Sequence, residues 1–381
     1  MMRTAALGLA AAGAMYYNLL PLSLGLLQEK LAFSNGQLGL LSAAFFLGFN
    51  LLSGTSFFWM QRLSWRFVAF IASFTALAAI AVMSLAETFV TLALISMITG
   101  SAFSALYAMS ATIISEQKNQ TRWFGFKLTM EGLSGAVLFV VLPSTLIASL
   151  GFDGILLGMA IVVLTLCPLW FWLPNSTQPN NTHVSAEIPK TEASISKQTS
   201  VTAVWLALAG TLSFFAGQTT IWAFIERLGT TAGYASASVT NLLSVTLLFA
   251  VAGSMTAAVL GSRLGNRTPF YLCCLAFFVA AFGLNFPDSF AAYAFGACVA
   301  TLSVAAGLVF GVSEIAAQDP NGRFIVLSVP AVGIGAMVGP GLAGFLADAY
   351  GFAAVLIFGV ASVALGGLLF ACIGILERTD S

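Results

Sequence analysis

The chain has 381 residues, 59% of them hydrophobic and only 7% charged, with no net charge and a mean hydropathy of +0.97. A soluble protein carries about 25% charged residues, so the composition argues for an integral membrane protein almost throughout and gives no sign of a nucleic-acid partner. The five cysteines (Cys167, Cys273, Cys274, Cys298, Cys372) lie in apolar runs without metal-ligand spacing, and the single histidine, His183, is in a polar stretch.

The first apolar run follows Met1-Met2-Arg3 and is too long for a signal peptide, so it is read as a span. Runs of eighteen or more apolar residues predict twelve membrane helices. They lie near 5–27, 36–59, 67–86, 89–114, 123–147, 153–173, 202–224, 235–260, 269–286, 290–312, 323–347 and 352–376. The connections are short except 174–200, a Ser-, Thr-, Asn- and Pro-rich segment expected to be a disordered linker. It divides the chain into six-helix bundles at 1–173 and 201–381.

Lysines and arginines collect on the cytoplasmic side of membrane helices. With both termini in the cytoplasm, 12 of the 14 basic residues fall there and only Lys30 and Arg227 fall outside. Each outer connection then has an acid at or beside it: Glu29, Glu87, Asp153, Glu226, Asp288 or Asp348. Glu226 belongs to the outer rim, as a solvated charge or an outer-gate residue. Trp59, Trp65, Trp123, Trp170, Trp172 and Trp205 mark cytoplasmic helix ends and Trp222 an outer one, as interfacial anchors do.

The halves repeat. Arg62-Leu63-Ser64-Trp65-Arg66 recurs as Arg263-Leu264-Gly265-Asn266-Arg267, and Arg122 and Gly132 match Arg323 and Gly333 at the same offset of 201. Six spans in each half make this a parallel repeat about an axis along the membrane normal.

One stretch breaks the symmetry. Arg122–Pro143 is apolar enough for a bilayer yet carries Lys127 and Glu131 one turn apart, and its twin in the second half has Val332 in place of Glu131. Glu131 is nine residues past Arg122, or ~13 Å at helical rise, close to the middle of a ~30 Å hydrocarbon layer. An ionised carboxylate there costs roughly 2.5–3.5 kcal/mol. Protonating an ordinary Glu at pH 7 costs about 3.7 kcal/mol. With the two costs comparable, the group can change charge near neutral pH, as a proton-coupled carrier requires. The competing role is structural, with Glu131 paired to Lys127 or bonded to a neighbouring helix.

These features resemble the major facilitator superfamily of secondary transporters. The resemblance rests on twelve spans as six plus six around a long loop, on the basic motif after the second helix of each half, and on Glu116 with Arg122 and Glu314 with Arg323, which are similar to the family's cytoplasmic gate charges. It departs from the family at Gln61 and Ser262, where the motif has Asp, and in carrying Gly339-Pro340 on the eleventh helix rather than the fifth. The resemblance implies an all-α fold of two six-helix bundles and a cavity near the midplane between them. Tyr17 and Asn18 on the first helix, Gln218 at the matching place on the seventh, and Asn50, Tyr107 and Asn241 are the candidate substrate contacts, with helix–helix hydrogen bonding as their alternative role. Arg62, Arg66, Arg263 and Arg267 join Glu116, Arg122, Glu314 and Arg323 at the cytoplasmic gate.

The glycine run Gly333–Gly344 lacks the lysine and preceding strand of a phosphate loop, no Walker motif occurs, and no intramembrane cluster suggests catalysis. The expectation is therefore a monomeric inner-membrane carrier of a small organic solute, proton-coupled through Glu131 and Lys127, with no cofactor. Proton-driven efflux of a drug or metabolite is the alternative within the class, and a non-transporting membrane sensor the alternative outside it.

Overall fold

A computed structural model of the protein describes residues 1–60, 62–115, 117, 120–174, 201–260, 263–286, 288–319 and 324–379. Among them, twelve helices are long and apolar enough to cross a membrane. They are α1 (Met2–Leu31), α2 (Asn35–Gly54), α3 (Trp65–Ser84), α4 (Phe89–Ser115), α5 (Gln120–Leu142), α6 (Phe152–Leu166), α7 (Val201–Thr231), α8 (Ser236–Leu260), α9 (Arg267–Leu284), α10 (Phe290–Gln318), α11 (Ser328–Tyr350) and α12 (Phe352–Thr379). No strand occurs among the described residues.

Helix ends follow local chemistry. α1 stops where Ala32 turns left-handed (φ 52°) and returns its N–H to Gln28. Ser34 then opens α2 through a capping box with Gln37. Pro143, which lacks an N–H, ends α5 and begins a π turn, Pro143–Ile147, inside the stretch expected to be regular helix. α6 likewise tightens into a 3-10 turn, Cys167–Trp172. Short connections make successive helices antiparallel within each half, and α1 and α7 run parallel where Tyr17 meets Gln218 and Gly25 meets Glu226, so both chain ends lie on one face, here the terminal face. The α1–α2 turn lies on the far face.

α1 is the innermost span, with 89% of its apolar window buried, against 28% for α5. The packing between halves repeats as the sequence does. Gly132 of α5 lies against Val251 of α8, and Gly333 of α11 lies against Asn50 of α2. Gly132 and Gly333 are 201 positions apart, and so are Asn50 and Val251. The two seams are thus equivalent, but one carries an apolar side chain where the other carries an amide. At the far face, Asp348 of α11 accepts the Asn35 and Gly36 N–H groups at 2.9 and 2.7 Å, capping the N-terminus of α2 across the seam.

Two tryptophans are not interfacial anchors. Trp170 is fully buried and donates to the Ser73 hydroxyl at 2.8 Å. Trp222 is buried between α1 and α7 and donates to the Tyr17 carbonyl at 3.0 Å. Both indoles find their partner inside the bundle, which removes the need for an interfacial one.

Candidate functional site

α5 carries the charged part of the site. Glu131 stands at the middle of this 23-residue helix, and Lys127 lies one turn toward the terminal face. The two form an ion pair whose side chains are 3% (Lys127) and 13% (Glu131) exposed. The Lys127 ammonium also sits 3.6 Å from the centre of the Tyr107 ring on α4, a cation–π contact. α4 packs closely on α1 here, where Gly13 faces the Tyr107 backbone with no side chain between them. Glu131 is thus partnered, as its structural role requires.

α1 is tied to the same turn of α5. The Asn18 amide donates to the Glu131 carbonyl at 2.8 Å, and the Ser134 hydroxyl donates to the same oxygen at 2.9 Å. Gly135 leaves the space that Asn18 occupies; a Cβ there would lie 2.8 Å from the amide nitrogen.

Next to Asn18, Tyr17 reaches across to the other half. Its hydroxyl pairs with Gln218 of α7, at 3.1 Å from the amide oxygen and 3.0 Å from the nitrogen. Phe46, Phe215 and Trp222 surround the Tyr17 ring at centroid distances of 6.1, 6.3 and 6.5 Å. Tyr17 and Gln218 are themselves 201 residues apart. Equivalent positions of two halves meet only on the axis that relates them, so this pair marks the molecular axis at mid-depth. Tyr16 turns away, buried and stacked on Phe45 at 4.0 Å.

The remaining candidates separate. Asn50 faces Gly333, and neither its amide nitrogen nor its oxygen has a partner among the described residues, although both atoms are buried. Asn241 does not join the group: it is exposed and lies near the far-face end of α8, closer to the surface than the sequence suggested.

Arg267 and Glu314 pair within the second half. Arg267 donates to Glu314 at 2.6 Å and contacts Glu377 at 2.8 Å, while Gln318 bridges the same two carboxylates at 3.0 and 3.1 Å. Glu314 therefore belongs to an α9–α10–α12 cluster. Arg66 instead holds the end of the first half, donating to the Leu173 and Phe171 carbonyls at 3.0 and 2.6 Å. Arg62 and Arg263 are exposed in turns. Glu116 and Arg323 lie outside the described residues, and Arg122 is on the first turn of α5.

Sequence reasoning missed the parts played by Phe215, Trp222, Gln318 and Glu377. The offset of 201 was the signal for the Tyr17–Gln218 contact, had it been applied to pairs of residues rather than to motifs. Nothing in the sequence marks Glu377 as a partner of Arg267. Among the described residues no group of three or more His, Cys, Asp or Glu is placed to hold a metal ion.

A family model described as Major Facilitator Superfamily matches residues 5–320. Comparison with curated proteins gave no significant match. Among solved structures, a mutant of the nucleoside transporter NupG superposes with a TM-score of 0.74 at 12% identity, covering 98% of this chain and 100% of that one. The superfamily transporter FucP, in its outward conformation, superposes with a TM-score of 0.62 at 16% identity over 97% and 98% of the two chains. With five-sixths of its length matched by the family model and its twelve-helix architecture shared with solved transporters, the chain belongs to the Major Facilitator Superfamily of membrane transporters.

Proposed function

We propose that this protein is a secondary transporter of a small organic solute, working by alternating access and coupled to protons through the Lys127–Glu131 pair. The observation that carries this reading is the pair itself: the one place where the second half has Ser328 and Val332 holds a buried cation and a buried acid at mid-depth. The positive-inside rule supports placing the terminal face in the cytoplasm of a bacterial-type inner membrane.

The pair suggests how coupling works. As a closed pair it is neutral overall. A proton on Glu131 leaves Lys127 as a buried cation without its counter-ion, a costly arrangement. An anionic group from the solute relieves that cost by taking the place of Glu131 on Lys127. Proton and monoanion then favour each other's binding, which is the linkage a symporter needs. The absence of an arginine at mid-depth argues against multiply charged phosphate esters. A second reading has an observation of its own: Tyr17, Phe215 and Trp222 beside the amide of Gln218 suit an uncharged solute with a flat ring.

Purified protein in liposomes with an alkaline interior separates these readings. A panel of radiolabelled monocarboxylates, uncharged nucleosides and sugars, and quaternary amines is offered at the acidic side. Accumulation of a monocarboxylate is expected, lost when the pH gradient is collapsed. Accumulation of uncharged solutes alone supports the second reading, and retention of no solute over empty liposomes contradicts transport.

A further inference from the structure

Gly25 and Glu226 are, like Tyr17 and Gln218, separated by the repeat offset of 201 residues. They also touch, so they mark the molecular axis a second time, eight residues or ~12 Å nearer the far face. At this point α1 of the first half and α7 of the second are in direct contact. Glu226 is 4% exposed, and its Oε2 atom has no hydrogen-bond partner among the described residues. A Cβ on Gly25 would lie 2.9 Å from the carboxyl carbon, so the carboxyl lies directly against bare α1 backbone. Only a residue without a side chain fits opposite it.

None of the groups around it is seen to hydrogen-bond to Oε2. Arg227, next along α7, is near enough to attract the carboxylate but leaves its buried Nε without a hydrogen-bond partner among the described residues. Tyr293 of α10 spends its hydroxyl proton on the Ile225 carbonyl at 2.7 Å. Asp348 of α11 is occupied by Asn35 and Gly36 of α2. Glu29 of α1 is exposed and of like sign. An ionised carboxylate buried without a partner is strongly disfavoured, whereas a neutral carboxyl is tolerated.

We propose that Glu226 is a second proton-binding site, on the molecular axis at the far face, and that its proton locks that face shut. When α1 and α7 part, water reaches the carboxyl and the proton leaves; when they close on it, the proton is retained. Acid on the far side therefore favours closure. The site is separate from the Lys127–Glu131 pair and rests only on the reading that the two halves open and close.

Spin labels at Leu85→Cys and Tyr350→Cys, both highly exposed and one on each half at the far face, report the opening in the full chain reconstituted in lipid, in a cysteine-free background. In the parent protein the ratio of closed to open should rise as pH falls, by up to about tenfold per pH unit, the limit for one linked proton. Glu226→Gln, neutral at every pH, should keep the closed distance throughout, and Glu226→Met serves if the glutamine variant fails to fold. Glu29→Gln, at the exposed acid nearby, should keep the parental response. A parental pH response in Glu226→Gln overturns the proposal, as does loss of the response in Glu29→Gln, which would assign the effect to the surface acid. A single distance in every variant at every pH would instead contradict alternating access itself.

Discussion

At the scale of residues, the site depends on one buried ion pair. Removing one member of such a pair leaves an uncompensated charge and costs roughly 3–5 kcal/mol, whereas replacing both is close to neutral. Lys127→Met should therefore lower stability by about that amount in denaturant unfolding of the detergent-solubilised protein, and Lys127→Met with Glu131→Gln should recover most of it. Additive losses would show that the two side chains do not depend on each other. A similar test applies to the seam at Gly333. An alanine there meets the Asn50 amide, so Gly333→Ala should cost about 1–3 kcal/mol, and Asn50→Ala should relieve it. Equal losses in the two backgrounds would mean that the strain lies elsewhere. Glu131 and Lys127 were legible in the sequence because charge is rare in a chain with 7% charged residues. Asn241 misled because an isolated polar residue in a helix gives its depth only as well as the helix ends are known.

At the scale of elements, the two halves solve the same terminal-face problem differently. Arg66 anchors α3 to the carbonyl ends of the first half, and Arg267 anchors α9 to two carboxylates. Loss of Arg66 frees two neutral carbonyls, of which the one on Phe171 is exposed to water. Loss of Arg267 strands Glu314, which is 4% exposed. Arg267→Met should thus destabilise more than Arg66→Met, by about 1–2 kcal/mol once the partial exposure of Arg267 is allowed for. Glu314→Gln should repair part of the former and none of the latter, as read from thermal melting. At the far face, Asp348→Ala removes the cap on α2 at a cost of about 1 kcal/mol and should raise the open population, measurable as faster labelling of Gly36→Cys; unchanged labelling would show that the cap does not hold the seam. Helix existence was legible throughout, because lipid-length apolar runs leave little alternative. Helix ends were not: α7 continues to Thr231 and α10 to Gln318 because their polar residues find partners or burial that no hydropathy window contains.

At the scale of the whole molecule, the repeat offset organises the structure. It relates the two seams, and it places Tyr17 on Gln218 and Gly25 on Glu226 along one axis. The duplication could be read from the arginine motifs, but which residues face each other across it required the packing of α1 on α7. The proposed function draws on departures from that symmetry: a carboxylate whose repeat equivalent is a glycine, an amide whose repeat equivalent is a valine, and an ion pair on α5 with no counterpart on α11. The most direct test of coupling compares two modes of transport in the same liposomes, using a solute retained in the panel above. With solute on both sides, exchange requires no net proton movement; uphill accumulation does. Glu131→Gln is expected to exchange solute at a rate near that of the parent protein while failing to accumulate it under an inward proton gradient. Accumulation by Glu131→Gln at the parental level would contradict the assignment of proton coupling to the Lys127–Glu131 pair.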